Sequence, residues 1–377
     1  MKIAVIGAGM IGAAAARHLA MLHKDVTLIG PSEPTEPSTH AGVFASHYDE
    51  GRITRRLDPN PVWEELAEAS IARYRDIERQ SGIDFYQEVG LLIGAPKGSD
   101  YLNNLMSVRD ASNIPTQDYH AEDLTRAFPH LSFAPDTVML HQKTQAGHIS
   151  PRNLVRAQIE LAQKQGATLI PEVVLGLDGQ KITTETSDHH FDRILLAAGA
   201  YTNTLLTDPL DLKPLARTIT FLELPPEEAL RLSDMPSVIF RTLDGADPYV
   251  LPPIRYPDGK TYLKIGGEPN SRTLHSKEDL THWFASSGDP DMKSYMSQRM
   301  TRLIPNLNYT KAHTQACVVT YTSTGLPYIA PLSEHLFVAA GGCGAAAKSS
   351  DEIGRIAAQT VLGHTDPRFS THQKKEN

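Results

Sequence analysis

The sequence predicts a mixed α/β (α+β) fold in two parts: a Rossmann-like nucleotide-binding domain, and a second domain built on a mixed or antiparallel sheet. Three observations predict it. A short apolar run, residues 3–6, leads into Gly7-Ala8-Gly9-Met10-Ile11-Gly12 and then a helical pattern through Ala16, Leu19 and Ala20. Near the other end, apolar residues 338–340 lead into Gly341-Gly342-Cys343-Gly344 and a second helical pattern. Between residues 215 and 310 strand-like runs alternate with proline- and glycine-rich turns, a texture that suits a separate sheet layer.

The first segment has the strand before it and the helix after it that a dinucleotide fingerprint requires. Gly7 permits the tight turn, Gly9 lets backbone approach a pyrophosphate, and Gly12 lets the helix pack closely on the sheet. The pyrophosphate then meets the free N–H groups and positive end of that helix. A second strand, residues 26–29, follows at βαβ spacing. It ends on Gly30, where an acidic residue usually binds a ribose hydroxyl, with Ser32 and Glu33 next along the loop. Two such turns returning to one ligand from opposite ends of a chain suit a flavoprotein better than a simple NAD enzyme, so FAD is the expected cofactor. Its predicted contacts are Gly7, Gly9, Met10, Ile11 and Gly12 from the first turn, and Gly342 and Gly344 from the second. Val174 and Gly199 are expected to add backbone from the middle of the chain.

The other elements follow in order. Residues 31–38 form a proline-rich loop and 42–56 a dense polar run. Trp63, Leu66, Ser70, Tyr74 and Ile77 recur at helical spacing, with Gly82 as the stop. Residues 85–93 read as a strand, 151–165 as a helix, 167–170 as a strand, and 191–200 as a buried strand ending on small residues. Strand-like runs at 218–224, 237–241, 248–251 and 261–266 precede helical patterns at 277–285 and 290–303. The nucleotide-binding pattern resumes near Ala316. The expected division is therefore discontinuous: 1–80, 145–215 and 311–370 for FAD, 81–144 and 216–310 for the substrate, and a polar tail at 371–377. In the last helix Ile353, Ile356, Ala357, Thr360 and Val361 form an apolar stripe. Ser349 and Glu352 have the spacing of a capping box, which puts Lys348 just before the helix.

Composition sets outer limits. With 377 residues, 40% hydrophobic and 21% charged, the chain is long enough for two or three domains with a large core. A net charge of −8 gives no reason to expect nucleic acid or an anionic membrane as partner. Two cysteines, Cys317 and Cys343, are too few for a disulfide framework and fit a reducing, cytoplasmic setting. The apolar start belongs to the nucleotide fold rather than to a signal peptide. No metal site is expected, and the oligomeric state is not written in the sequence.

With these residues in view, the chain resembles the monomeric sarcosine oxidase and N-methyltryptophan oxidase branch of the D-amino-acid-oxidase-like flavoproteins. Four places carry the resemblance: the fingerprint, residues 44–55, residues 262–266, and residues 317–322 together with 341–348. It implies oxidation of a secondary, N-methylated or cyclic amino acid. Hydride passes from the carbon beside nitrogen to flavin N5, water hydrolyses the imine, and O2 is reduced to H2O2. Two other readings fit: a dehydrogenase for an amino or hydroxy acid that reduces a quinone or protein acceptor, and a catalytically silent flavin-binding subunit.

Residue by residue, the resemblance implies a thioether from Cys317 to the flavin and a Lys264 ammonium near N5 that assists O2 reduction. Alternation along residues 262–265 leaves open whether Lys264 points to solvent. By the same resemblance Arg52 lies by the flavin, Arg55 and Lys348 hold the substrate carboxylate, Lys348 also stands near the flavin, and Tyr249 lies on the substrate side. Ser46 and His47 fall in the matched cofactor segment, and His47 fits either a donor to the cofactor or a structural histidine. Cys343 is a small residue in the turn. The pocket departs from the branch at Tyr48, Gly51, Ala345, Ala347 and Glu268, which implies more room and an added negative charge. The implied substrate is an amino acid larger than sarcosine, with a polar or cationic extension.

Overall fold

Ile3–Ile6 is a fully buried strand near the middle of a six-stranded sheet in the computed structural model, and it pairs in parallel on both sides. Edge to edge, the order is Tyr328–Pro331, Leu336–Ala340, Arg193–Leu196, Ile3–Ile6, Val26–Ile29 and Thr168–Ile170. Only Tyr328–Pro331 runs antiparallel. The structure describes residues 1–22, 25–36, 39–242, 247–269 and 272–372. Pro37 and Ser38 of the proline-rich loop, and residues 373–377 of the tail, lie outside them.

The first helix, Met10–Leu22, and the last, Ala346–Val361, pack against each other on this sheet. Gly354 makes the close approach possible: a Cβ there would lie 2.5 Å from Ala14 Cβ and 2.6 Å from Ala15 N. Helices Pro61–Ser81 and Pro151–Lys164 complete the layer. Asp351, fully buried, ties all four together. It accepts from Arg17 at 2.8 Å, Gln158 at 2.8 Å and Arg73 at 2.5 Å. Burial alone would raise its pKa, but His18, Arg17 and Arg73 outweigh burial and hold the carboxyl far below the usual range.

The second layer is an eight-stranded mixed sheet. Its order is Lys311–Thr322, Leu212–Leu224, Thr261–Gly266, Tyr249–Arg255, Ser237–Phe240, Leu91–Pro96, Thr137–Gln142 and Gln117–His120. Ser237–Phe240 and Leu91–Pro96 are its one parallel pair. Leu222, Leu263 and Ile265 pack beneath it against Met296 and Met300 of helix Asp291–Leu303. A small sheet of Arg52–Arg55, Ala146–Ile149 and Tyr86–Gln87 lies between the two layers in the chain's path. Three short strands within residues 174–190 form a further antiparallel sheet.

Several expectations change. Residues 85–93 are two strands, Tyr86–Gln87 and Leu91–Pro96, in different sheets, because Gly90 breaks the run at φ +80°. The segment near Ala316 joins the eight-stranded sheet, pairing over its full length with Leu212–Leu224. That partner strand itself crosses the expected boundary at 215/216. Ser349 and Glu352 are not a capping box. The helix begins at Ala346, whose N–H already bonds Gly342 O at 3.0 Å, so Ser349 is a buried interior residue. Glu352 instead holds Arg73 and Arg355.

Adding a side chain at Gly354 should disturb the packing of the first and last helices. Gly354→Val is expected to cost about 1–3 kcal/mol through overpacking, read as a lower denaturation midpoint with an unchanged denaturant slope.

Candidate active site

A cleft with a volume of about 400 Å³ opens at the carboxyl ends of the parallel strands, where ligands bind in open α/β sheets. Both glycine turns line it. Of the predicted cofactor residues, Gly7, Gly9, Met10, Ile11, Ser46, His47, Arg52, Val174, Gly199, Cys317, Gly342 and Gly344 are on its wall. Gly12 lies behind the wall: a Cβ there would meet Gly7 O at 1.9 Å. Gly7, at φ +108°, has Ala197 O 2.4 Å from the place of a Cβ. Only glycine fits at either position, so the turn is pressed onto the neighbouring strand, where the Gly7 N–H bonds Ile29 O at 2.7 Å. The cradle suits the pyrophosphate of FAD.

Gly30 also lines the cleft, and its identity has a steric cause. A Cβ there would stand 2.5 Å from Ala8 N, which excludes the usual acidic residue. Glu33, next along the loop, has its carboxylate forked onto Arg152 by two bonds of 2.8 Å. Along the middle of the cleft Phe44, Tyr48, Tyr201 and Phe284 form an aromatic wall, with Phe44 and Tyr48 edge to face at 5.0 Å.

One end of the cleft is strongly charged. Arg52, from the polar run, approaches Cys317 Sγ with Nη2 at 3.6 Å and donates to Ser46 O at 2.9 Å. The same guanidinium is paired with Asp49. Lys264 is fully buried rather than solvated, and its ammonium bonds the same carboxylate oxygen, Asp49 Oδ2, and Gly51 O at 2.6 Å. Tyr256 donates to Asp49 Oδ1 at 2.9 Å. Burial, reinforced by Arg52, lowers the Lys264 pKa well below its ordinary value, and Cys317 opposes them. Trp283 Nε1 fixes the Cys317 carbonyl at 2.8 Å.

Arg55 and Lys348 meet elsewhere. Neither lines the cleft. Arg55 Nη2 bonds Asp58 Oδ2 at 3.0 Å, and Lys348 Nζ lies 3.4 Å from the same oxygen. Asp58 thus already compensates the two cations expected to hold the substrate carboxylate. Glu268 offers no free charge either, since Thr218 N donates to it at 2.9 Å and Arg217 lies 4.0 Å away. Tyr249 packs beside Ile219, Phe221 and Cys317, with burial pushing its phenol pKa up. Gly51 has Ile254 Cδ1 2.9 Å from the place of a Cβ, a side-chain end that would have to shift for a larger residue. Ala347 lines the cleft. Cys343 takes φ +48° in the second turn.

The sequence reading missed Asp49, Asp58 and the aromatic wall. Asp49 stood inside the polar run without a role. Asp58 had one signal, its place three residues after Arg55. Phe44, Tyr201 and Phe284 come from three distant segments and share none.

The family model described as "DAO: FAD dependent oxidoreductase" matches residues 2–360. The chain belongs to this family. Among characterised relatives, the monomeric sarcosine oxidase of Streptomyces avermitilis is 27% identical over 96% of this chain and 94% of that protein. The monomeric sarcosine oxidase of Bacillus sp. (strain B-0618) is 23% identical over 98% and 94%. Among solved structures, the Tyr258Phe mutant of NikD, an unusual amino acid oxidase, superposes with a TM-score of 0.81 at 18% identity, covering 100% of this chain and 98% of that one. L-proline dehydrogenase from P. horikoshii gives 0.75 at 18%, over 97% and 94%. The protein is thus an FAD-dependent oxidoreductase with the fold of these flavoenzymes. Among the described residues no helix is long and apolar enough to cross a membrane, and no His, Cys, Asp and Glu group has the form of a metal site.

His47 is buried beside Gly9, with Nδ1 3.8 Å from the place of a Cβ. Burial, then Arg152 and Arg52, lower its pKa from 6.5 to about 3. As pH falls below 6.5 the unfolded chain protonates this ring and the folded one does not, so stability is lost until about pH 3. The loss should reach about 3–5 kcal/mol. His47→Gln is expected to flatten this part of the pH–stability curve, measured as urea midpoints between pH 7 and pH 4.

Proposed function

We propose that this flavoenzyme is an oxidase of a secondary, N-methylated or cyclic amino acid, with O2 as acceptor and its FAD held through a thioether to Cys317. The observation that carries the proposal is the meeting of Arg52 and Cys317 on the cleft wall, with Lys264 buried behind them and joined to Arg52 through Asp49. They come from three remote segments, and each was expected there for a different part of the chemistry. When bound, FAD accepts a hydride from the carbon beside the substrate nitrogen and passes two electrons to O2.

The chain's own residues serve both halves. Arg52 stands 3.6 Å from Cys317 Sγ, so a guanidinium faces the sulfur that would form the thioether. Lys264 is held by Asp49 and by Gly51 O, so its position is set before O2 arrives. A fixed positive charge favours the first electron's transfer to O2. At ~4 Å and an effective dielectric near 20 the attraction is of order 4 kcal/mol, enough to change a rate by orders of magnitude. Phe44, Tyr48, Tyr201 and Phe284 give the cleft an aromatic wall. No side chain need act as a strong base if the amine binds neutral; the imine product is then hydrolysed by water. The unpaired cysteines are in keeping with a cytoplasmic protein.

Anaerobic addition of secondary and N-methyl amino acids should bleach the flavin, and air should restore its colour with release of H2O2. Bleaching that only a quinone reverses would replace the oxidase with the dehydrogenase, and no bleaching by any amino acid would favour the silent subunit. Acid precipitation should leave yellow colour in the pellet, and Cys317→Ser should release it to the supernatant. Lys264→Met should slow reoxidation by O2 at least about a hundredfold while changing reduction by substrate far less. Equal losses in both would remove Lys264 from the oxygen step.

A further inference from the structure

Arg52, Asp49 and Lys264 differ in what they can present to a ligand. A second, small space of about 10 Å³ adjoins the cleft, with Asp49, Arg52, Phe221 and Cys317 on its wall. Arg52 borders both spaces and keeps 17% of its side-chain surface. Lys264 borders neither and keeps 1%. Its ammonium is taken up by Asp49 Oδ2 and by Gly51 O at 2.6 Å, beside the ring of Phe221. Asp49 Oδ2 also takes Arg52, while Oδ1 accepts from Tyr256 at 2.9 Å and from Glu50 N at 2.8 Å. The neighbouring carboxylates are already paired, Glu50 with Arg152 and Glu268 with Arg217 at 4.0 Å. Burial, then Lys264, lower the His148 pKa to about 4, and burial raises the phenols of Tyr249 and Tyr256. Cys317, once in the proposed thioether, carries no charge. An ammonium in contact with a carboxylate is favoured in its charged form. Two cations and one carboxylate thus leave one positive charge, and only Arg52 can present it.

We infer that Arg52 supplies the positive charge at the flavin end of the cleft, and that Lys264 is a positioning residue acting through Asp49: it occupies the carboxylate that would otherwise neutralise Arg52. The bearing of this on the oxygen step rests on the proposed oxidase. Positive charge there favours the electrons of a reduced flavin and the first electron's arrival on O2. Removing Lys264 would leave Asp49 to cancel Arg52, so the site would lose its charge although the lysine borders no cavity. Removing Asp49 as well would restore it. A lysine that met O2 or the flavin itself would give the opposite result, because a second deletion could not repair its loss.

The test compares wild type, Lys264→Met and the Asp49→Asn, Lys264→Met double variant, each as the flavin-containing full chain at pH 7. The midpoint potential of the flavin, read anaerobically against reference dyes, needs neither substrate nor O2. Lys264→Met is expected to make two-electron reduction at least about tenfold less favourable, a fall of about 30 mV or more. The double variant should return it to within about threefold of wild type. Reoxidation by air should follow the same order, the double variant recovering most of the rate that Lys264→Met loses. A double variant whose potential stays with Lys264→Met, or a Lys264→Met potential equal to wild type, would overturn the inference. Should the double variant not fold, Asp49→Asn alone decides: its potential should be no lower than wild type, and a fall overturns the inference. The expected potentials in a protein that air does not reoxidise would remove the oxidase and leave the charge assignment. A wild type reoxidised by air, with a double variant as slow as Lys264→Met, would keep the oxidase and overturn the inference.

Discussion

One buried carboxylate, Asp49, holds the charged end of the cleft together. Arg52 and Lys264 are brought there by different sheets, one by the small sheet beside the nucleotide layer and the other by the eight-stranded sheet. Two cations buried side by side would repel each other and lose their hydration. Asp49 bonds both, and Tyr256 and the Glu50 N–H satisfy its second oxygen at 2.9 and 2.8 Å. The two layers are therefore joined by a hydrogen-bonded ion cluster at the place where the chemistry is expected, and the orientation of Lys264 follows from the position of Arg52.

The same device recurs at Asp58 and Asp351. Asp58 compensates Arg55 and Lys348, and Asp351 compensates Arg17 and Arg73. In each case one carboxylate faces two cations from different elements, so truncating it would strand buried positive charge. The three differ in what is left over. Asp351 also has Gln158 and His18, and its set is closed within the helix layer. The set around Asp49 borders the cleft through Arg52.

Much of the fold was legible because local rules decide it. The helix Pro61–Ser81 stops at Gly82, which takes the left-handed conformation with φ 75°, as the sequence pattern requires. The fingerprint turn was legible because Gly7 and Gly12 answer to backbone contacts within a few residues and one neighbouring strand. The capping box failed because spacing alone cannot tell a helix start from its interior; the turn at Gly342 had already begun the helix. The segment around Cys317 was placed with the nucleotide layer because its motif is tied to the cofactor, yet its backbone belongs to the other sheet. Lining a site and sharing its sheet are separate facts, and only the first leaves a motif. The buried counter-ions were illegible for a related reason. A lone aspartate carries no pattern of its own, and its role appears only when its partners' positions are known.

Strand alternation explains how one short segment serves two charge clusters. Arg52 and Thr54 lie on one face of Arg52–Arg55, and Ile53 and Arg55 lie on the other. Arg52 therefore reaches Asp49, Lys264 and Cys317, while Arg55 reaches Asp58 and Lys348. A spacing of three puts the two guanidiniums on opposite sides of the strand, and each meets its own aspartate and its own lysine. Each set sums to one positive charge when its lysine is protonated. Burial lowers both lysines, Lys348 to about 8 and Lys264 well below its ordinary value. The strand thus keeps the two charge clusters apart.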